Sequence, residues 1–151
     1  MIEPREVQVL RIDPRADARY AQELELRYQV LRVPLGLPRE SVKFEGEEEH
    51  AVHLVALADN GGDMQLLGCL LFDFQTGRLR QMAVEPARQK SGIGRRLVLA
   101  MEDELRRAGI GEISLHARAV ACGFYARLGY ARVGEPFLEV GIEHFEMRKR
   151  L

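Results

Sequence analysis

The chain lacks most of the features that would point to a specialised role. It has only two cysteines, Cys69 and Cys122, in 151 residues. They are too few for a Cys-rich zinc site and lie far apart, without the spacing of a disulfide scaffold. Neither charge dominates: 22 Lys and Arg against 23 Asp and Glu leave a net charge of −1. That balance offers no electrostatic footprint for a nucleic-acid backbone or an anionic membrane. No apolar run approaches the roughly 20 residues of a membrane span. The start, MIEPREVQVL, breaks into charge at Glu3 and has no apolar stretch of a secretory signal. No repeat, low-complexity tract or linker interrupts the chain, and no histidine pair has the His-x-x-x-His spacing of a zinc helix. With 46% apolar and 30% charged residues, the composition is that of one globular domain over residues 1–151, with a core of ordinary size. The expectation is a cytoplasmic protein with no metal and with neither nucleic acid nor membrane as partner.

Hydrophobic periodicity predicts the elements. Val7 to Ile12 reads as a first strand. Tyr20, Leu24, Tyr28 and Leu31 recur at helical spacing within Asp17 to Arg32, and Pro34, Gly36 and Pro38 end that helix in a loop. The acidic run Glu45 to Glu49 reads as a solvated loop or short helix. Strands follow at His53–Ala58 and Gln65–Phe74, joined by the hairpin chemistry of Asp59-Asn-Gly-Gly-Asp63, and then at Arg78–Val84 after Thr76-Gly77. These three form an antiparallel meander in which Gly68 marks a bulge or a close approach. Gly94 to Ala108 is an amphipathic helix capped by Gly109. Glu112–Ala117 is a strand and Val120–Leu128 a second short helix stopped at Gly129. Tyr130–Val133 and Ile142–Arg148 are final strands linked by Gly134 to Gly141. The pattern gives an α/β class with a mixed sheet and helices packed on it.

The informative stretch runs from Met82 to Leu97. A strand ends at Val84, Pro86 breaks the ladder, and a glycine-containing loop leads straight into a helix. Backbone N–H groups at such a junction converge and the helix dipole adds positive potential. Gly92 and Gly94 remove side chains where a phosphate approaches, and Gln89, Lys90, Arg95 and Arg96 add donors and charge, which fits a pyrophosphate. The bland alternative is a tight turn whose glycines serve geometry alone. There is no Gly-x-x-x-x-Gly-Lys-Ser/Thr, and Gly92-Ile-Gly-Arg-Arg-Leu97 lacks the third glycine of a dinucleotide fingerprint.

Val84-x-Pro-x-x-Gln-x-x-Gly-x-Gly resembles the acetyl-CoA-binding motif of the GNAT superfamily of N-acetyltransferases, Gln/Arg-x-x-Gly-x-Gly/Ala. Phe124-Tyr-Ala-Arg-Leu-Gly-Tyr130 resembles that family's Phe-Tyr-x-x-x-Gly-Phe signature on the helix after the fifth strand. Leu26–Arg32, Glu49–His53 and Phe137–His144 are more loosely similar to its ElaA-like branch. The resemblance implies a central, mostly antiparallel sheet of six to seven strands, splayed between the fourth and fifth, with about four flanking helices. It implies that Met82, Ala83 and Val84 offer main-chain groups to the pantetheine arm of acetyl-CoA. Gln89, Lys90, Ser91, Gly92, Ile93, Gly94 and Arg95 would hold the pyrophosphate, with Phe124 bordering the coenzyme. Tyr125 stands where many members keep the acid that protonates the leaving thiolate; taken alone, on one face with Ala121 and Leu128, it reads as core. Where many members have Asn after the fifth strand, this chain has Arg118.

The implied activity is acetyl transfer from acetyl-CoA to a primary amine of a small molecule or peptide, by direct attack in a ternary complex. The alternative is a non-catalytic acyl-CoA-binding or sensing domain on the same fold. The family's geometry puts the acceptor mouth at Val33–Pro38, the acidic run and the hairpin around Glu139 and His144, where carboxylates would favour a cationic amine. Glu45, Glu47, Glu49 and His116 are all candidates for the base. His50 reads as exposed and His53 as a surface or gate residue. Oligomeric state stays open, a homodimer included.

Overall fold

The computed structural model describes residues 6–44 and 48–151, so the calls on Glu45 and Glu47 fall outside the described residues. Seven strands form one sheet: β1 (Gln8–Ile12), β2 (Val52–Asn60), β3 (Asp63–Asp73), β4 (Arg78–Val84), β5 (Glu112–Arg118), β6 (Ala131–Glu139) and β7 (Ile142–Arg150). Their order is β1-β2-β3-β4-β5-β7-β6. The β4–β5 pair is parallel and the others are antiparallel.

The described residues hold three α-helices, α1 (Tyr20–Arg27), α2 (Ile93–Arg107) and α3 (Cys122–Arg127), instead of about four. The helix expected over Asp17 to Arg32 is regular only to Arg27 and finishes as a π turn over Tyr28–Arg32. Its start is set back because the Asp17 carboxylate accepts the Arg19 N–H (2.9 Å) and holds a turn ahead of the helix. The helix expected from Val120 opens as a 3₁₀ turn, Ala119–Ala121, before becoming α-helical at Cys122.

One core lies under α2. Leu97, Val98, Met101 and Leu105 recur at helical spacing and bury against Leu54, Leu67, Leu70 and Phe72 of β2 and β3. Each such side chain contributes roughly 1.5–3 kcal/mol on burial. Gly68 is a close-approach point: a Cβ there would meet Ile93 Cγ2 and Leu97 Cδ1 at 3.1 Å and the Ala83 carbonyl at 3.3 Å. On the opposite face, Ile12, Val55, Leu57, Cys69 and Ala83 pack with Tyr20, Leu26, Val30 and Leu31 of α1 and its π turn.

The last hairpin is longer than its hydrophobic pattern suggests. β6 continues through Gly134 and Pro136, which fall in an irregularity between Val133 and Phe137. An edge strand tolerates both because its outer N–H groups are unpaired. The turn is Val140 (φ 47°) and Gly141 (φ 74°), a two-residue turn with both φ positive, which matches the strands' twist. No described helix is long and apolar enough to cross a membrane.

Candidate active site

Strands β4 and β5 pair at only two positions, Arg78 with Ser114 and Leu79 with Leu115. Beyond them the strands part, while β4 stays bonded to β3 and β5 to β7. The break coincides with a bulge at Gln81, a non-glycine residue held at φ 58°. Its carbonyl accepts the Cys69 Sγ–H at 3.3 Å, and burial pushes that thiol up. The flank of Arg80 to Val84 that faces β5 thus has no strand partner, a ready edge for an extended ligand. Met82 and Val84 are half-buried there and Ala83 is buried.

The loop after β4 begins with a 3₁₀ turn, Pro86–Arg88. Gln89 is exposed and its Nε2 donates to the Val84 carbonyl (3.1 Å), closing the strand end. Ser91 bonds back to the Arg88 carbonyl, and Lys90 adopts φ 67°. Gly92, at φ 90°, caps α2 without supplying any side-chain acceptor. The first-turn N–H groups of Ile93, Gly94 and Arg95 therefore have no capping side chain and no intrahelical partner. A Cβ on Gly92 would meet nothing within 4 Å, so the space beside the cap residue is open. Ile93 is core and offers only its backbone, whereas Arg95 is exposed.

Gly94 brings three elements together. A Cβ at that position would meet Phe124 Cζ at 3.4 Å and Met82 Cε at 3.9 Å. The Phe124 ring stands edge-on to Tyr125, centroids 5.0 Å apart, and Tyr125 meets Tyr130 at 5.7 Å. Tyr125 is 8% exposed, and burial pushes its phenol up to about 12.

On the α1 face of the sheet, beside the splay, polar side chains collect. His116 Nδ1 lies 3.0 Å from Glu139 Oε1, and His144 Nε2 lies 3.6 Å from Glu139 Oε2. The His144 Nδ1–H donates to the Ile142 carbonyl at 2.8 Å. Phe137 stands against both rings. Arg78 Nη1 lies 2.8 Å from His116 Nε2 and 2.5 Å from Nδ1. Burial tends to raise the Glu139 carboxyl, but the His116 hydrogen bond and the charges of His116, His144 and Arg78 hold it below the usual range.

A model of the acetyltransferase (GNAT) domain matches residues 37–151. The chain is 30% identical over 140 residues to the uncharacterized N-acetyltransferase YitI of Bacillus subtilis, covering 84% of this chain and 89% of that one. The chain belongs to the GNAT acetyltransferase family. Another Bacillus subtilis relative is 36% identical over 75 residues, half of this chain, and the match spans about half (51%) of that relative's length. Among solved structures, a Lactobacillus plantarum protein superposes with a TM-score of 0.84 at 20% identity, over 96% of this chain and 98% of that one. Escherichia coli ElaA gives a TM-score of 0.75 at 17% identity, over 95% and 99%. An aminoglycoside 6'-N-acetyltransferase complexed with coenzyme A gives 0.75 at 20% identity, over 95% and 96%. At these identities the structures speak for the fold alone.

This GNAT chain also carries an ionic cluster that its sequence concealed. Glu48 belongs to the run expected to be solvated, and His53 was expected at the surface or as a gate. Both are buried, at 4% and 0% exposure. Arg27 Nη1 donates to Glu23 (2.9 Å) and Glu48 (2.6 Å), and Nη2 to the Val42 carbonyl (2.7 Å). The Tyr20 hydroxyl donates to Glu48 at 2.7 Å. His53 Nδ1 meets the Glu23 carboxylate at 2.9 Å and Nε2 the Glu48 carbonyl at 2.8 Å. The Glu48 carbonyl only accepts, so Nε2 carries a proton towards it, and Nδ1 faces the Glu23 carboxyl. Glu48 thus anchors the chain before β2 to α1. Among the other expectations, His50 and Glu49 are exposed, and Arg118 is exposed at the end of β5.

Proposed function

We propose that this domain, taken as one catalytic unit, transfers an acetyl group from acetyl-CoA to a primary amine of a small molecule or peptide by direct attack in a ternary complex. The reading is carried by one conjunction: a strand edge left open at the β4–β5 splay runs into an uncapped helix N-terminus with open space beside its cap residue. The N–H groups of Gly92 to Arg95, with Gln89, Lys90 and Ser91 shaping the loop, suit a pyrophosphate. The open edge at Met82, Ala83 and Val84 suits the amide-bearing pantetheine arm. Phe124 borders it across Gly94. An aminoglycoside acetyltransferase of this fold was solved with coenzyme A, which supports an acyl-CoA ligand for the domain.

Acetyl-CoA supplies the activated acyl carbon. The amine nitrogen forms a bond to that carbon as the carbon–sulfur bond breaks, and the leaving sulfur takes a proton. Tyr125 is the group for that step, since a phenol pushed up to about 12 is fully protonated at neutral pH. The amine must lose a proton on the other side. Of the candidate bases among the described residues, His116 has a carboxylate partner, Glu139, and faces the splay. Glu139 and His144 border the acceptor.

Thiol release from acetyl-CoA against a panel of amines tests this reading, with Tyr125→Phe as the decisive variant. The ring still packs, so stability and coenzyme affinity hold, while the chemical rate falls by about 10²–10⁴-fold. Coenzyme A raises the melting temperature of the wild type by preferential binding to the native state. Gly92→Val, strained at φ 90° though sterically open, removes that shift. An equal shift in wild type and Gly92→Val rejects the loop assignment.

A further inference from the structure

The acidic run led to the expectation of a cationic acceptor, but among the described residues the carboxylates of the face beside the splay are already paired. Three guanidinium groups reach it: Arg78 and Arg80 from β4, and Arg32 from the turn that follows α1. Among the described residues, the carboxylates on that face are engaged. Asp73 pairs with Arg80 at 3.4 Å, Glu139 with His116 and His144, and Glu146 with Arg148 at 2.6 Å. Arg80 is further held over the Phe44 ring at 4.2 Å.

Arg32 and Arg78 are different. Among the described residues neither has a carboxylate within ion-pair distance. Arg32 donates to the Ser41 carbonyl (3.0 Å), the Leu31 carbonyl (3.4 Å) and Oε1 of Gln81 (3.4 Å), the residue at the bulge. Arg78 touches only the His116 ring, and its Nε is buried without any hydrogen-bond partner. Burial first, and then the neighbouring arginine charges, hold both guanidiniums below their usual range, against the opposing charges of Glu139, Asp73 and Glu146 on Arg78 and of Glu48 on Arg32. Half-buried guanidiniums with no carboxylate at ion-pair distance are costly, and the group that relieves them is an anion.

We infer that the acceptor carries an oxyanion, a carboxylate or a phosphate, which Arg78 and Arg32 receive beside the Gln81 bulge while its amino group faces His116. This rests on the acetyl-transfer reading and adds the acceptor's charge to it. An arginine fork meets the two oxygens of either group, whereas a dicationic amine would meet two arginines that repel it.

The test compares matched amines with acetyl-CoA: β-alanine against β-alaninamide, aminoethyl phosphate against ethanolamine, and 1,4-diaminobutane as the dication. The anionic member of at least one pair is favoured in kcat/KM by on the order of tenfold to a hundredfold. Preference within the first pair alone assigns a carboxylate, and within the second alone a phosphate. In Arg78→Gln the ratio falls towards one while the KM for acetyl-CoA stays put, and Arg32→Gln is the second variant should the first fail to fold. Transfer only to neutral or dicationic amines, or an anion preference that survives both substitutions, overturns this inference and leaves acetyl transfer standing. Coenzyme binding without transfer to any amine overturns the acetyl-transfer reading, and this inference with it.

Discussion

Two clusters on the same face of the sheet use the same residue types and end in opposite states. Beneath α1, Arg27, Glu23, Glu48 and His53 are all but inaccessible, and Arg27 makes four hydrogen bonds to three partners, two of them carboxylates. Beside the splay, Arg78, His116, Glu139 and His144 are open enough that the Glu139 side chain is 44% exposed, and Arg78 has no carboxylate partner. Arg27 and Arg78 each leave a buried Nε unpaired, so that feature does not separate them; the counter-charge does. A closed cluster whose arginine is met by two carboxylates anchors a fold, and an open one whose arginine has no carboxylate at ion-pair distance leaves room for something else.

The largest contrast lies in stability. Arg27→Met strands Glu23 and Glu48 in a buried site, and breaking such a pair from one side costs about 3–5 kcal/mol. Urea denaturation reads this as a much lower midpoint, or as failure to fold. The matching change in the open cluster, Arg78→Met, removes a desolvated cation with no carboxylate to strand, and moves stability by about 1 kcal/mol or less in either direction. Comparable losses in the two variants would abolish the distinction between anchor and site.

Acid separates the clusters next. Burial opposes the Glu48 charge, but the hydrogen bonds and charge of Arg27, with the Tyr20 hydroxyl and the Phe44 N–H, win and hold its carboxyl below the ordinary value. A lowered folded-state pKa stabilises above the unfolded value, about 4.3 for Glu, and that stability is lost as pH falls through the folded one. Wild type should therefore exceed Glu48→Gln by about 1.5–3 kcal/mol at pH 7, and the gap should close as pH falls below about 4. A gap that stays constant to pH 2 would mean that Glu48 acts by shape and not by charge.

The contrast also explains what the sequence disclosed. Runs set off by turn residues located β2, β3 and β4, the amphipathic stripe located α2, and two spaced motifs marked the loop after β4 and α3. The closed cluster stayed hidden because Glu23 and Arg27, four residues apart, look like an ordinary surface pair, and charged residues are seldom buried unless paired. The partners that bury them come from Glu48 and His53, and only folding joins those segments. One signal was present: period two puts His53 on the face of Val55 and Leu57, so a partner had to cover it. The bulge at Gln81 had no such signal, since nothing in Arg78–Val84 announces a positive φ. The length of β6 was missed because Gly134 and Pro136 read as loop, and only its place at the sheet edge admits them.

The smallest effect is the one that most sharpens the comparison. Glu139→Gln keeps the shape and an acceptor for the His116 Nδ1–H but removes the charge that His116, His144 and Arg78 share. Because the side chain is 44% exposed, solvent already screens that charge, and the pair contributes about 0.2–1 kcal/mol. Expressed in kinetics, that is about a two- to fivefold fall in kcat/KM for the acceptor amine. The KM for acetyl-CoA should stay at its wild-type value, because Glu139 stands across the β4–β5 gap from the loop that follows β4. Stability should shift by about 0.5 kcal/mol or less, with little dependence on pH. A large stability loss would place Glu139 with Glu48 among the anchors. A weakened acetyl-CoA KM with an unchanged acceptor constant would move this cluster out of the acceptor site altogether.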